Sequence, residues 1–144
     1  MTTVRQISVF LENRPGRLAR VTGLLGENRI SIRALTIADT SDFGILRLIV
    51  DRPEEAFQVL KQAGIPVSST EVVVIEIPDV PGGLAAPLEC LKNAKINVEY
   101  IYAFLTKISE SAFVVLSIDN AEEAINILQE KGIRVISANE IAEK

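Results

Sequence analysis

The chain has no histidine, no tryptophan and a single cysteine, Cys90, in 144 residues. Each absence closes a class of chemistry. Without histidine, the commonest general base near neutral pH is gone. One cysteine cannot make an intrachain disulfide, and with no histidine beside it a Cys/His metal site is excluded. Any catalysis would fall to carboxylates, lysine or Cys90, so no catalytic residue, cofactor or metal ligand is expected. The chain holds no run of 18 apolar residues and no apolar h-region at its start, so no membrane partner is expected. Its fifteen Lys and Arg form no run or stripe, and the net charge is −4. That balance argues against a nucleic-acid partner. A reducing, cytoplasmic setting follows as the expectation.

What is present is a repeat. Pro15-Gly16-x-Leu18-Ala19 returns as Pro81-Gly82-x-Leu84-Ala85. Asp51-x-x-Glu54-Glu55-Ala56 returns as Asp119-x-x-Glu122-Glu123-Ala124, and Gly64-Ile65-x-Val67 as Gly132-Ile133-x-Val135. One supersecondary unit is used twice. The expected domains are 1–69 and 70–144. Hydrophobic residues make up 48% of the chain, more than units of about 70 residues hide easily. An interface between the repeats, and another with a second chain, is expected.

Periodicity orders the elements. Val4 to Leu11 alternates as a half-buried strand, and Leu18, Val21, Leu24 and Leu25 recur at helical spacing. Ile30, Ile32, Ala34 and then Leu35 and Ile37 alternate as a second strand. Asp39 to Asp42 is a turn cluster. Gly44 to Val50 reads as a central strand. Asp51 and Glu54 read as a capping box for a helix bearing Ala56, Val59, Leu60 and Ala63, which Gly64 stops. Val72 to Ile77 opens the second copy. Pro87 places its first helix no earlier than about Gly83. Strands at Ile96 to Leu105 and Ala112 to Ile118, a helix from Ala121 to Lys131 and a strand from Arg134 to Ala138 complete it. Only Ser68 to Glu71 lies between the copies, which leaves open one long strand or two with a tight turn.

The order β-α-β-β-α-β, twice, predicts an α+β fold: two ferredoxin-like sandwiches with antiparallel sheets and both helices on one face, packed as a pseudo-symmetric pair. Uncovered edges and faces would then pair between units.

The loop after each first strand is the strongest site candidate. Gly16 and the pair Gly82 and Gly83 let a ligand approach the backbone. The helix that follows offers free N–H groups to a carboxylate, and Asn13 and Asp79 could meet an ammonium group. The competing reading is plain turn chemistry. Tyr100, Tyr102 and Phe104 share one strand face, as a pocket wall, an interface or core. Asp42-Phe43-Gly44 reads as a strand-opening turn, and Cys90, beside Leu88 and Leu91, as a small packed hydrophobe.

The segments Asn13-Arg14-Pro15-Gly16-Arg17-Leu18-Ala19 and Val80-Pro81-Gly82-Gly83-Leu84-Ala85 resemble the ACT domain. So do Ile30-Ser31-Ile32 and Ile96-Asn97-Val98, at the opening of each second strand. The resemblance covers both halves and implies a stand-alone tandem-ACT protein with no attached catalytic domain. It further implies a non-catalytic, allosteric regulatory module that binds a free amino acid at interfaces between ACT units. By that resemblance Asn13, Arg14, Gly16, Arg17 and Leu18 would form one site, and Asp79, Val80, Gly82, Gly83 and Leu84 a related one. Second-strand residues of the opposed unit, around Ile37 and Ala38 or Tyr100 and Tyr102, would complete them. The expected partners are the amino acid, a second copy in a homodimer and a metabolic enzyme that the sequence does not identify. Arg14 and Arg17 face Val80 and Gly83 across the repeat, so the sites differ. The alternative is a small acylphosphatase-like hydrolase using Arg14 and Asn13. An RNA-binding sheet would need aromatics on a basic surface, and Phe10, Phe43 and Phe113 are too sparse.

Overall fold

The elements follow the alternation and helical spacing of the sequence closely. A computed structural model describes residues 2–39, 42–105 and 111–142. Along the chain run β1 (Val4–Glu12), α1 (Arg17–Glu27), β2 (Ile32–Asp39), β3 (Phe43–Val50), α2 (Pro53–Gln62) and β4 (Val67–Pro78). They are followed by α3 (Ala85–Asn93), β5 (Val98–Ala103), β6 (Ser111–Ile118), α4 (Ala121–Glu130), β7 (Arg134–Val135) and α5 (Ala138–Ala142). Two compact units result. One is Arg5–Thr70 with Ile141 and Ala142, the other Glu71–Glu140 with residues 2–4.

In the first unit the strand order is β2-β3-β1-β4. β3 pairs antiparallel with both β1 and β2, with Ile7 opposite Leu48 and Leu35 opposite the same Leu48. Alternation sends Ile7, Val9, Leu46 and Leu48 to one face, where Val21 and Leu25 of α1 and Ala56 and Leu60 of α2 cover them. Removing that apolar surface from water is the main stabilising term. The alternation expected through β2 is broken by a β-bulge between Ile32 and Ala34, which re-aims every later side chain of the strand by one position.

The second unit repeats the order as β5-β6-β4-β7. Val73 lies opposite Leu116 and Ile75 opposite Val114. These four pack with Leu91 of α3 and with Ala124 and Leu128 of α4. A bulge between Val98 and Tyr100 sits where the first copy has its own. Each unit is therefore a ferredoxin-like sandwich, as the element order predicts. Val67–Pro78 is one strand, which answers the question left at Ser68–Glu71.

Two local expectations need correction. Asp51 does not cap α2: Arg52 is its N-cap residue, with no side-chain bond. Asp51 instead accepts the Ser31 N–H at 2.9 Å, because the carboxylate faces the start of β2. In the second copy Asn120 does cap, accepting from the Glu123 N–H at 3.2 Å. The closing strand, expected to reach Ala138, stops at Val135 because a short helix begins at Ala138. Its signal was in the sequence: the Ser137 N–H donates to Glu140 at 2.8 Å and the Glu140 N–H to Ser137 Oγ at 3.4 Å, a capping box. In the turn cluster, Thr40 and Ser41 lie outside the described residues.

The short β7 is tied down by charge. Arg134 pairs with Glu76 at 2.8 Å, across a position where the two residues are register partners. The hydrogen bond from Arg134 holds the Glu76 carboxyl below its ordinary range; burial pushes the other way, and a bond from Ser111 adds to the lowering. A carboxyl whose folded pKa is depressed stabilises the fold above its unfolded pKa, and that contribution is lost as pH falls through the folded value.

Two outcomes are expected. Gly23 lies exposed inside α1, and a Cβ added there meets nothing within 4 Å. Gly23→Ala should therefore stabilise by about 0.5–1 kcal/mol, read as a higher urea midpoint. For Glu76→Gln, the stability deficit against the parent should be present at neutral pH and shrink as pH falls below about 4. Urea titrations at a series of pH values measure it, and a pH-independent deficit would refute the ion-pair origin.

Candidate functional site

The β1–α1 loop of the first unit is held by its own backbone. The Asn13 N–H donates to the Asp42 carbonyl at 2.9 Å, and the Arg14 N–H to the Glu12 carbonyl at 2.9 Å. Gly16 then takes φ +88° as the N-cap residue of α1, a left-handed conformation that costs a side-chain-bearing residue energy. It carries no side chain to cap the helix. The Arg17 N–H turns back onto the Arg14 carbonyl at 3.3 Å. Among the described residues no protein acceptor meets the N–H of Leu18 or Ala19. First-turn amides of this kind bind anions.

Charge gathers at the same place. The Glu12 carboxylate lies 3.2 Å from Arg14 Nε and 3.6 Å from a terminal nitrogen of Arg17. Beside the loop opens a cleft of about 370 Å³. Its apolar wall is Leu11, Leu18, Ile37 and Gly44, and its polar rim is Glu12, Asn13, Arg14 and Arg17. Ile37 comes from the edge strand β2 and is 44% exposed. The bulge in β2 and its register with β3, Ile37 opposite Leu46, put that side chain on the helix-covered side. Chemically, guanidinium groups and free amides suit a carboxylate, a carboxylate and an amide oxygen suit an ammonium, and the wall suits an aliphatic group.

Asn13, Arg14, Arg17, Leu18 and Ile37, all expected from the sequence, are thus brought together. Gly16 shapes the loop without lining the cleft. Ala38 does not line it; it pairs with Ile45, on the opposite face of the sheet. Glu12, Leu11 and Gly44 were missed. Glu12 had a signal: with Arg14 and Arg17 it is replaced as a set in the second copy, by Pro78, Val80 and Gly83.

The second loop is built differently. Gly82 has φ +83°. A Cβ on Gly83 would lie 2.2 Å from the Pro78 carbonyl oxygen, so the glycine serves packing there. The backbone turn itself is the same, the Gly83 N–H bonding the Val80 carbonyl at 3.0 Å as the Arg17 N–H bonds the Arg14 carbonyl. A cleft of about 350 Å³ lies beside it, with Val80, Gly82 and Gly83 along one wall and Gly132 and Ile133 along another. Asp79 and Leu84 do not line it. Tyr100 and Tyr102 do not either. Their rings, 6.4 Å apart, stand on the helix-free face, where Tyr102 pairs with Val115. Phe104 meets Phe113 edge-on at 5.4 Å. Among the described residues no group of three or more His, Cys, Asp or Glu could hold a metal ion. No helix there is long and apolar enough to cross a membrane.

Comparison with known proteins identifies the fold and the family. A crystal structure of a protein from Bacteroides thetaiotaomicron is 38% identical, covers 99% of this chain and 98% of its own, and superposes with a TM-score of 0.93. The ligand-free regulatory subunit of aspartate kinase from Thermus thermophilus shares the fold at 19% identity and a TM-score of 0.64, over 90% of this chain and 93% of its own. The acetolactate synthase small subunit of Haemophilus influenzae is 40% identical over 58 residues, which span 40% of this chain and 35% of that protein. The family profile described as the ACT domain pair matches residues 1–144, and the chain belongs to that family of regulatory domains.

Proposed function

We propose that the protein is a non-catalytic sensor of a free amino acid with an aliphatic side chain, bound in the cleft beside the β1–α1 loop of the first unit. One observation carries the reading: Glu12, Arg14 and Arg17 meet Leu11, Leu18 and Ile37 in a single cleft at the start of a helix. The ligand's carboxylate takes the guanidinium groups and the first-turn amides. Its ammonium takes Glu12 and the side-chain oxygen of Asn13. Its side chain lies on Leu18 and Ile37. An aromatic ligand loses support, because Tyr100 and Tyr102 stand away from both loop clefts.

The cleft borders β2, an edge strand with no neighbour on its outer side in the strand order. A second copy of the chain seated against that edge would close the cleft and bury exposed Ile37. Ligand then favours the closed assembly by its differential affinity, and a metabolic enzyme reads the change. The likeness to a protein named as a regulatory subunit of aspartate kinase supports a partner enzyme. The second loop, without arginine, is a weaker site or none.

The test is a thermal-shift screen of all twenty amino acids, with sedimentation of the best ligand. Aliphatic amino acids should stabilise the chain, by about 2.7 kcal/mol at a concentration about 100 times Kd. Ile37→Asp should abolish the shift, and Arg14→Gln should weaken binding about tenfold. The assembly should grow tighter with ligand. If no amino acid raises Tm at millimolar concentration, the reading is wrong; if Ile37→Asp still responds, the ligand lies elsewhere.

A further inference from the structure

The first unit has a second cleft on the other side of Arg17. Its volume is about 280 Å³, near the lower end of small-molecule sites. Arg17 and Arg20, one helical turn apart on α1, line it together with Glu12, Phe10, Phe43 and the Gly64–Pro66 turn. The rings are 49% and 61% exposed, unusual for phenylalanine in a chain with so few aromatics.

The charge here is unbalanced. Arg14, Arg17 and Arg20 share the loop and first helical turn with one carboxylate, Glu12, which Arg14 and Arg17 already share. Arg20 donates to the Ala63 carbonyl at 3.3 Å. That bond keeps its charged group beside the cleft and leaves the charge uncancelled. A guanidinium fork against an apolar wall suits a planar carboxylate, held by charge-assisted hydrogen bonds while its flat body lies on the rings.

The duplicated unit supplies an internal control. Its cleft stands at the corresponding place, between the start of α3 and the turn at Gly132 and Ile133. There Gly83 stands for Arg17, Ala86 for Arg20 and Glu76 for Phe10. The one charged residue lining it is the anion Glu76. The same backbone carries a cleft with two cations and one anion, Arg17, Arg20 and Glu12, in one unit and a cleft with a lone anion in the other.

We propose that the cleft between Arg17, Arg20, Phe10 and Phe43 is a separate binding site for a small, planar organic carboxylate, one per chain, outside the loop cleft. Leu11, Glu12 and Arg17 line both clefts, but Arg20 lines only this one and Arg14 only the other, so the two sites are tested separately.

The probe is benzoate, with neutral benzamide as its isostere, titrated into the full chain by ¹⁵N–¹H NMR and calorimetry. Benzoate should bind once per chain and shift the amide signals of Val21, Phe43 and Ile65, while benzamide binds at least roughly tenfold more weakly. Arg20→Gln should weaken benzoate roughly tenfold or more, and Arg14→Gln less than about twofold. Phe43→Ser, on an exposed side chain, provides a second variant and should also weaken it. Absence of benzoate binding to the parent chain, equal binding of benzamide, or unchanged affinity in both Arg20→Gln and Phe43→Ser would each overturn the proposal. Loss of benzoate binding in Arg14→Gln with retention in Arg20→Gln would move the anion to the loop cleft and overturn it equally.

Discussion

The register between β1 and β3 governs the site. Leu11 lies opposite Gly44 and Glu12 opposite Phe43. This pairing brings the end of β1 beside the start of β3. The loop that leaves β1 is then stapled to the same place by the bond from Asn13 to Asp42. A shift of one residue would exchange the faces of β1, sending Leu11 out and Glu12 into the core. Gly44 brings no side chain to a cleft wall that Leu11 and Ile37 line. In the second unit Ile77 pairs with Ala112 at the matching position, so a methyl group stands where the first copy has hydrogen. The cleft is a product of strand pairing first and of loop chemistry second.

Duplication kept the scaffold and released the surfaces. Both copies carry the bulge in the second strand, the left-handed glycine after the second helix and the aliphatic core. These are positions where a change costs packing or backbone energy. The loop residues carry no such cost, and there the copies part. Glu12, Arg14 and Arg17 form a set in which each charge answers another, so losing one would strand the rest. All three are absent from the second loop, and Pro78, Val80 and Gly83 form a compact turn in their place. That turn tolerates nothing larger than glycine at position 83.

Strand and helix identity was legible because burial imposes a period on the sequence. Leu25, Leu48, Leu116 and Leu128 are buried where that period places them. The bulges were not read: apolar positions pass from even to odd numbers after Ala34, but a change of phase alone does not say which face the later residues take. For that reason the tyrosines could not be placed: a pocket, an interface and a core all fit a same-face aromatic triplet. The caps were harder. Asp51 and Asn120 hold neighbouring places in the repeat, yet one bonds a distant strand and the other its own helix. Side-chain direction at a helix start depends on tertiary neighbours that no local pattern encodes. Of the site, the residues of the loop itself could be read. Leu11 and Gly44 could not, since their part in the cleft comes from pairing across 30 residues of chain.

The ion pairs at the loop decide what kind of recognition is available there. Glu12 and Arg14 are each more than half exposed, and a pair of that kind contributes at most about 1 kcal/mol. A ligand carboxylate that engages Arg14 or Arg17 competes with Glu12 for the same donors. Its gain is the difference between two similar interactions. The net electrostatic contribution to affinity is then small unless the ammonium engages Glu12 in the same step, so that every charge changes partner and none is left alone. In the loop cleft a zwitterion with its two charges one carbon apart can do this; a carboxylate or amine that engages only Arg14 or only Glu12 there cannot. Discrimination among zwitterions must come from the apolar wall, where removing Leu18 and Ile37 from water yields about 25 cal/mol per Å². Charge selects the class of ligand, and the exposed aliphatic surface selects the member.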